Sequence, residues 1–581
     1  MTEHIAKHDT ITTKKIHLLP LGRLQKLIKR LIRVSMKKLL NEKIISFCLH
    51  VFSHLKLRYN HLNSGKLLLF IILFSLHVTA AFSQNEFPLL HYDVSILQPA
   101  SHTFDVELHC SNWAQDTIRL KMPNWMPGYY QLMDYAQSVE NLLATDNEGN
   151  NILTGKINDN TWVISGIKNK SFSVKYSVNT KHQFVANSYV DSTHAYLIPE
   201  NTFLFIDGVL NAPVSVSFSF SNTWNRIATG LIPVAGKVNE FTASDFDILY
   251  DCPILIGKLR ELPSFSVKGI EHRFIGYSMG DFDQTLFMDN LKKTIEAATD
   301  IIGDIPYDKY TFIGIGPGRG GIEHLNNTTI SFDGSGLNNP EAMNKMMNFI
   351  AHEYFHNYNV KRIRPFELGP FDYEKENRTN LLWFSEGLTV YYEYLIVKRA
   401  GLADAGTLLS FIEENLNAFE NDPGKIYQSL QQASYCTWSD GPFGTNGVGT
   451  DKSISYYDKG PLVGLLLDFE IRNVTQNKKS LDDVMRLLYQ KYYMEKHRGF
   501  TEAELQAACE QVAGISLTST FEYVYTTKEI DYAKYLAFAG LKIDKQNIES
   551  KGRASAQKLK ITRIDNPTHL QVAILKSWMG E

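Results

Sequence analysis

The stretch His352-Glu353-Tyr354-Phe355-His356 carries more information about this chain than any other. Residues i and i+4 lie on one face of a helix, so both imidazoles can bind one metal ion. Glu353, which lies between them, is placed to take a proton from a metal-activated water. The pattern therefore predicts a hydrolytic metal centre on a helix.

A third ligand is expected from a second helix, and Glu386 is the candidate. It is the one acidic residue in the apolar segment from Leu381 to Tyr392. A buried lone carboxylate costs several kcal/mol unless it is paired or bound to a metal. Three protein ligands leave the fourth position of a tetrahedral zinc open, which is typical of catalytic zinc. We therefore predict one Zn²⁺ bound by His352, His356 and Glu386.

The residues before the motif favour a helix. Asn339 can act as the N-cap, Pro340 fits the first helical position and Glu341 suits the first turn. An apolar stripe follows at 343, 346, 347 and 350, so we predict a helix over 340–358. A five-residue motif also arises by chance, and two histidines on a helix can be an ordinary core pair.

Composition indicates a globular protein of several domains behind a basic leader. The chain has 581 residues, 44% of them hydrophobic and 21% charged, which is enough for a large core. Residues 1–66 hold 14 Lys and Arg against 3 Asp and Glu. Such a segment can bind nucleic acid or anionic lipid, but here it precedes an apolar run and a small-residue cleavage pattern.

These features predict an exported protein. Lys66 is followed by the apolar run 67–74 and by Thr79-Ala80-Ala81-Phe82-Ser83-Gln84. We predict a leader at 1–83 with its signal peptide at about 61–83, cleavage after Ser83, and a periplasmic or extracellular location. Either translation starts further downstream or the first sixty residues extend the leader. Neither a nucleic-acid partner nor a stable membrane span after cleavage is expected, and the sequence does not indicate an oligomeric state.

Cysteine spacing excludes a cysteine-based metal cluster. Cys110, Cys252, Cys436 and Cys509 follow the predicted leader without any C-x-x-C pair. An exported protein could pair some of them, in three connectivities. So large a core favours buried free thiols instead.

Hydrophobic periodicity divides the remaining chain into three parts. Residues 84–265 alternate apolar and polar side chains between turn clusters, which predicts an antiparallel β domain. Residues 266–525 begin with strands around a glycine-rich loop at 316–321 and become mainly helical, which predicts the catalytic domain. The loop lacks the Lys-Ser/Thr of a P-loop, so its glycines more plausibly let a substrate backbone come close. Residues 526–581 form a short C-terminal part.

Three motifs resemble those of the glycyl aminopeptidase family, peptidase family M61, whose members are gluzincins related to the thermolysin-like aminopeptidases. The run from His352 to Pro365 resembles the zinc-helix signature of the family. The run from Trp383 to Tyr392 resembles the helix that carries the third ligand. Met122 to Tyr129, with Asp134-Tyr135-Ala136, is similar to its N-terminal signature. The resemblance runs from about 88 to 545.

The resemblance implies an α+β multidomain fold. It comprises an N-terminal antiparallel β domain, a thermolysin-like and mainly helical zinc catalytic domain, and usually a C-terminal PDZ domain. This chain departs from the pattern, because only about forty residues follow Leu541. We therefore expect a short, truncated PDZ-like module at 526–581.

The same resemblance assigns a residue to the substrate amino terminus. Gly320-Gly321-Ile322-Glu323-His324 resembles the exopeptidase motif, a glycine-rich edge strand that ends in a glutamate. A carboxylate near the metal can anchor a free α-ammonium by charge-assisted hydrogen bonds, so Glu323 takes that role and Gly320 and Gly321 lie along the substrate. Glu323 could instead be an exposed residue at a turn.

A tyrosine is implied in the same way. Tyr457-Asp458-Lys459-Gly460 resembles the segment in which related aminopeptidases keep their catalytic tyrosine. A phenol aimed at the developing oxyanion stabilises the transition state most in a dry site. Tyr456 is the competitor for this role, and either ring could be an ordinary core aromatic.

Together these features predict a secreted zinc aminopeptidase that acts on peptides with a free N-terminus and releases small first residues, Gly or Ala. Glu353 is the predicted base, Tyr457 the oxyanion donor, and Glu393 a candidate to orient a histidine ring. Two alternatives stay open. One is a zinc endopeptidase with an open cleft, and the other is a non-catalytic peptide-binding protein on a peptidase scaffold.

Overall fold

The computed structural model describes residues 87–446, 449, 451–548 and 556–581. Its first domain consists mainly of strands. Its elements are β1 Leu89–Ile96, β2 Thr103–Ser111, β3 Thr117–Lys121, β4 Val139–Asp146, β5 Asn151–Ile152, β6 Thr154–Asn158, β7 Thr161–Ser165, β8 Phe172–Asn179, β9 Tyr189–Val190, β10 His194–Leu197, β11 Phe205–Ile206, β12 Val214–Phe220, β13 Arg226–Ala228, β14 Ile232–Pro233, β15 Glu240–Ala243, the helix α1 Phe246–Tyr250, and β16 Ile254–Gly257. The predicted β-rich domain is confirmed.

Three sheets make up this domain. Their strand orders are β14-β15-β12-β1-β2-β8-β4-β5, β13-β16-β10-β9 and β11-β3-β7-β6. β1 and β12 run parallel, whereas β1 and β2 are antiparallel with Tyr92 opposite Leu108 and Val94 opposite Val106. Alternate side chains of these strands are buried, which explains the two-residue period in the sequence.

A fourth sheet begins the catalytic domain. Its elements are β17 Arg260–Glu261, β18 Phe265–Val267, β19 Ile270–Gly276, the helix α2 Gln284–Ile302, β20 Lys309–Gly314, β21 Gly321–Glu323 and β22 Asn327–Ile330. The strand order β17-β19-β20-β22-β21 places β21 at an edge, with Glu323 opposite Thr328. The short β21 is the glycine-rich edge strand that the resemblance implied.

Helices follow, as their apolar periodicity predicts. They are α3 Pro340–Phe355, the π-helical turn Trp383–Gly387, α4 Leu388–Arg399, α5 Ala405–Asn421, α6 Leu430–Tyr435, α7 Thr437–Asp440, α8 Tyr456–Val474, α9 Leu481–Leu488, the π-helical turn Tyr489–Glu495, α10 Glu502–Ala513, α11 Thr518–Tyr525 and α12 Tyr532–Ala537. The π-helical turn before α4 touches α8 backbone to backbone, because a Cβ on Gly387 would lie 2.7 Å from the Gly460 Cα.

The C-terminal part differs from the expected module. The hairpin β23 Leu541–Ile548 and β24 Ala556–Arg563 and the helix α13 His569–Met579 share one core with the catalytic helices. Asn417 of α5 pairs with the backbone of Leu559, at 2.8 and 2.9 Å, and the Trp578 indole donates to the Tyr391 hydroxyl of α4 at 2.8 Å. The described residues of 526–581 therefore do not show the predicted PDZ-like remnant. They complete the catalytic domain, which a count of the residues left after Leu541 could not reveal.

The predicted leader at 1–83 and its signal peptide lie outside the described residues. None of the helices that the structure describes is long and apolar enough to cross a bilayer. Cys110, Cys252, Cys436 and Cys509 are unpaired thiols.

Candidate active site

The helix α3 carries His352 and is followed directly by its C-cap residue His356, and its N-terminus forms as the sequence predicts. The Asn339 side chain accepts hydrogen bonds from the backbone N–H of Glu341 and Ala342, at 2.8 and 3.2 Å, and Pro340 occupies the first turn. The helix ends at Phe355, earlier than the predicted 358. The chain turns there because the next residues form tighter bonds, such as Tyr358 N–H to Phe355 O at 2.9 Å.

The three predicted ligands meet in one place. His352 Nε2 lies 3.0 Å from His356 Nε2, and Glu386 Oε2 lies 3.6 Å from the first nitrogen and 3.3 Å from the second. A tetrahedral zinc with bonds of about 2.0–2.1 Å separates its ligand atoms by about 3.3 Å. All three residues are buried. The donor set and its spacing therefore fit zinc.

Each histidine is oriented through its second nitrogen. His352 Nδ1 lies 2.7 Å from Glu393 Oε2, and His356 Nδ1 donates to the Asn359 carbonyl at 2.7 Å. Such partners fix the tautomer and direct the Nε2 lone pair at the metal. The structure thus brings Glu393 to the position for which the sequence made it a candidate, whereas Asn359 was not anticipated.

Glu386 lies on the π-helical turn that precedes α4. The Asn359 amide donates to the carbonyls of Phe384 and Ser385, at 2.9 and 3.2 Å, and to the Thr389 hydroxyl at 3.0 Å. A π-helical turn widens the helix by one residue and is frequent at functional sites. The sequence predicted an ordinary second helix around Glu386, because no residue type marks such a turn. Asn359 therefore connects one ligand ring to the turn that holds the third ligand.

Electrostatics keep the ligand carboxylate charged. Burial raises the pKa of Glu386, but His356 and His352 outweigh it and hold the pKa well below its usual range. Glu353 behaves differently, because burial dominates and raises its pKa to about 8 despite the two histidines. A carboxylate with an affinity for protons near neutral pH is suited to act as a general base and then as an acid.

The edge strand β21 runs directly beside Glu353. A Cβ on Gly321 would lie 2.6 Å from Glu353 Oε1, so this close approach requires a glycine. Gly320 has φ +90°, a conformation that L side chains rarely adopt. The two glycines therefore bring an open sheet edge close to the candidate base.

Glu323 is buried at the end of β21, with 4% of its surface exposed, and is not an exposed residue at a turn. The loop of the first domain covers it so closely that a Cβ on Gly128 would lie 2.8 Å from Glu323 Oε2. Glu323 lines a cavity of about 80 Å³ together with Gly128, Tyr130 and Lys361. The predicted amino-terminus anchor therefore faces a space large enough for a small polar group.

The structure separates the two candidate tyrosines. Tyr457, in the first turn of α8, donates to Glu386 Oε2 at 2.9 Å, and its ring centroid lies 6.2 Å from that of His352. The Tyr456 hydroxyl instead pairs with the Thr437 hydroxyl at 3.1 Å. Burial and the charge of Glu386 raise the pKa of Tyr457, so its phenol stays a donor.

Tyr130 is a residue that the sequence analysis missed. It is buried, and burial together with the charges of Glu386 and Glu323 raises its pKa well above the ordinary value. Tyr130 directly follows the N-terminal signature that ends at Tyr129, and this position in the sequence could have identified it as a site residue. The first domain thus contributes a phenol to the site, which residue spacing alone could not place.

The fold and these side chains define a zinc metallopeptidase. Models of two family domains match the chain, the Peptidase M61 N-terminal domain at residues 91–258 and the M61 glycyl aminopeptidase at residues 345–463. Both models describe domains of the M61 peptidase family, the family that the motifs of this chain resemble.

One solved structure shares the fold of this chain, and two others match it less closely. An aminopeptidase N family protein from Idiomarina loihiensis is 25% identical, with a TM-score of 0.74, over 80% of this chain and 81% of that chain. An M1 zinc metallopeptidase from Deinococcus radiodurans is 12% identical, with a TM-score of 0.48, over 77% of this chain and 96% of that chain. A mutant of the latter bound to a Tyr-Ser-Ala substrate is 11% identical, with a TM-score of 0.49, over 76% and 94% of the two chains. No curated protein matches the chain.

Proposed function

We propose that this chain is an aminopeptidase that removes the first residue of peptides with a free amino terminus. The observation that carries the proposal is the buried carboxylate of Glu323, which lines a small cavity at the end of the strand that passes Glu353. A buried carboxylate close to a catalytic base is a natural partner for the substrate α-ammonium. An endopeptidase does not need such a carboxylate, because its substrate chain continues past the position where Glu323 would bind an amino terminus.

The residues of the site have separate tasks. His352, His356 and Glu386 would hold the zinc ion, which would supply a Lewis acid and lower the pKa of water. Glu353 accepts the proton of the attacking water and returns it to the leaving amine. Tyr457 donates a hydrogen bond to the oxyanion, since its phenol is buried and protonated.

A preference for Gly or Ala as the first residue completes the proposal. Its support is the description of the matching family, glycyl aminopeptidase, and the modest cavity of about 80 Å³ beside Glu323. One extra methylene changes discrimination by only about 1–3 kcal/mol, so the preference is graded rather than absolute. The hydrolysis rates of Gly, Ala, Leu and Phe anilides would rank the side chains of the first residue. Faster hydrolysis of the Leu or Phe anilide would contradict the preference for Gly or Ala.

The role of Glu323 is tested with paired substrates. Purified enzyme with measured zinc content is assayed on alanine anilide, on N-acetylalanine anilide and on an internally quenched peptide with blocked ends. The wild type is expected to cleave only the free amine, and Glu323→Ala should lose at least about a hundredfold in kcat/KM. Glu341→Gln, at an exposed residue in the first turn of α3, is the matched control.

Two outcomes would favour the alternatives. Cleavage of the blocked peptide at a rate unaffected by Glu323→Ala would indicate an endopeptidase. A zinc-loaded wild type that binds peptides but cleaves none of the substrates would indicate a binding protein.

Export is a further part of the proposal and rests on the charged, apolar and small-residue pattern that ends near Ser83. The full chain is expressed in a bacterial host, and the periplasm and medium are separated from the cytoplasm. Amino-terminal sequencing should give a chain that begins at Gln84. A cytoplasmic product that retains residues 1–83 would contradict export.

A further inference from the structure

A buried ion pair lies beside the amino-terminus anchor. Lys361 Nζ contacts Asp251 Oδ1 at 2.5 Å, and both side chains are only 8% exposed. Both line the same cavity as Glu323. Lys361 belongs to the loop after the zinc helix, whereas Asp251 caps the C-terminus of α1 in the first domain. This pair has no part in the proposed chemistry. The desolvation of two buried charges can cost more free energy than their attraction returns, so the pair needs an explanation other than stability.

Asp251 also holds the segment that follows Glu323. The Leu325 backbone N–H donates to Asp251 Oδ2 at 2.6 Å, and His324 Nδ1 lies 3.4 Å from Asp251 Oδ1. These bonds fix the end of β21 against the first domain. Asp251 therefore meets both Lys361 and the strand that presents Glu323.

Glu323 itself has no cation of its own. Among the residues that the structure describes, no Lys, Arg or His lies within ion-pair distance of its carboxylate, although Lys361 lines the same cavity. Burial lowers the pKa of Lys361, but Asp251 and then Glu323 outweigh it, so the ammonium stays charged. Burial raises the pKa of Asp251, yet Lys361 brings it below the usual value. Lys361, Asp251 and Glu323 thus carry one net negative charge.

The other charged groups around this trio do not cancel that charge. Arg364 and Asp247 also line the cavity and carry opposite charges. Glu200 is buried, both its oxygens lack a partner, and burial raises its pKa well above the usual range, so it adds no positive charge. The unpaired charge therefore belongs to Glu323, at the place where a cationic group of a substrate would fit.

We propose that Asp251 is a positioning residue that holds the Lys361 ammonium away from Glu323 and so preserves an unpaired carboxylate for the substrate ammonium. Without the charge of Asp251, Glu323 is the acid that acts most strongly on the Lys361 ammonium. Lys361 then competes with the amino terminus of the substrate for the same carboxylate. This role rests on the proposed aminopeptidase function and places part of the recognition in the first domain.

Asp251→Asn tests this role, because an amide keeps an acceptor for Leu325 N–H and loses only the charge. KM for alanine anilide should rise about tenfold or more, with a smaller change in kcat. Adding Lys361→Met to Asp251→Asn removes the competing ammonium, so KM should return toward the wild-type value. A purely structural role predicts the reverse, since a second buried substitution should add to the damage.

Lys361→Met alone is the second variant. Its KM for the free amine should be no higher than that of the wild type, because no cation competes for Glu323. Asp482→Asn is the matched control. It also removes an acid from a buried ion pair, with Arg399 Nη1 at 2.9 Å, but it lies outside the residues that line this cavity. Zinc content and thermal unfolding are measured for every variant.

Three results would overturn the inference: an unchanged KM in Asp251→Asn, no recovery in the double variant, or a raised KM in Lys361→Met. If the wild type cleaves the N-acetylated substrate as well as the free amine, the aminopeptidase function itself fails. If the wild type requires the free amine and Asp251→Asn has the same KM as the wild type, only the proposed role of Asp251 fails.

Discussion

Tyr457 and Tyr456 are adjacent in the chain, yet only one of their hydroxyls points at the metal ligands. Tyr457 donates to Glu386 Oε2 at 2.9 Å, whereas Tyr456 pairs with Thr437. Tyr457→Phe should lower kcat by about a hundredfold to a thousandfold with little change in KM, because it removes an oxyanion donor. Steady-state kinetics on alanine anilide measure both constants. Tyr456→Phe is the control, and an equal loss in that variant would contradict the assignment.

A site residue could be predicted from the sequence where its role requires a particular side chain. The spacing of His352 and His356 and the lone acid Glu386 were visible because a metal needs those side chains. Asn359 was not visible, because the group that orients His356 is a backbone carbonyl. Tyr130 was missed for a different reason, since it comes from another domain and no local spacing relates it to the zinc helix.

At the scale of elements, the Asn359 amide binds the π-helical turn Trp383–Gly387, which carries Glu386. Asn359 makes three hydrogen bonds to this turn and to Thr389, all within buried structure. Asn359→Ala leaves the carbonyl that orients His356 and releases the turn that presents Glu386. We expect zinc affinity to fall by about tenfold to a hundredfold, measured by competition with a chromogenic chelator.

Asn357→Ala is the matched control for that experiment. The Asn357 amide donates locally to the Tyr354 carbonyl at 2.6 Å and does not contact the turn. Its zinc affinity should stay close to that of the wild type. Equal affinities for the two variants would show that the bonds to the π-helical turn do not hold Glu386 in place.

The C-terminal helix α13 behaves as part of the catalytic domain. Trp578 is fully buried and donates to Tyr391 on α4, the helix that also carries Glu393. Trp578→Ala should lower the free energy of unfolding of the catalytic domain by about 3–5 kcal/mol, from chemical denaturation. Val572→Ala, at a residue of α13 that is 38% exposed, should change it little. A separate early transition for the C-terminus would contradict a shared core.

The elements themselves were largely predictable, and their exceptions have physical causes. Strands of the first domain and helices such as α3 followed from two-residue and helical periodicity. The π-helical turns did not, because no residue type marks them. The C-terminal hairpin was assigned to a separate module because sequence shows its length but not the core that it joins.

At the scale of the whole molecule, the site belongs to both domains. The first domain supplies Gly128 and Tyr130 to the cavity, and Asp251 fixes the strand that ends in Glu323. Contacts between residues this distant in sequence depend on how the two domains pack. Sequence could therefore predict the metal ligands within one domain and could not predict which residues of the other domain complete the recognition of the substrate.

Acid stability is a property of the whole molecule that one buried histidine should influence. His272 on β19 is completely buried, and burial lowers its pKa from 6.5 to about 4. Its Nδ1 donates to the Ile270 carbonyl and its Nε2 accepts from the Tyr307 hydroxyl, both at 3.0 Å. Tyr307 in turn contacts Tyr354, which lies between the two histidine ligands on α3. Neutral His272 therefore supports the zinc helix.

The sign of the pH dependence follows from the lowered pKa. Between pH 6.5 and about 4 the unfolded chain binds a proton at His272 that the folded chain does not bind. The contribution is complete above pH 6.5 and is lost on acidification, by about 3 kcal/mol in total. His272→Gln should therefore lose less stability than the wild type between pH 7 and 4, measured by urea unfolding, whereas His569→Gln at the exposed start of α13 should follow the wild type. Parallel curves for wild type and His272→Gln would show that His272 takes up its proton equally in both states, and the coupling of β19 to the zinc helix would then be independent of pH.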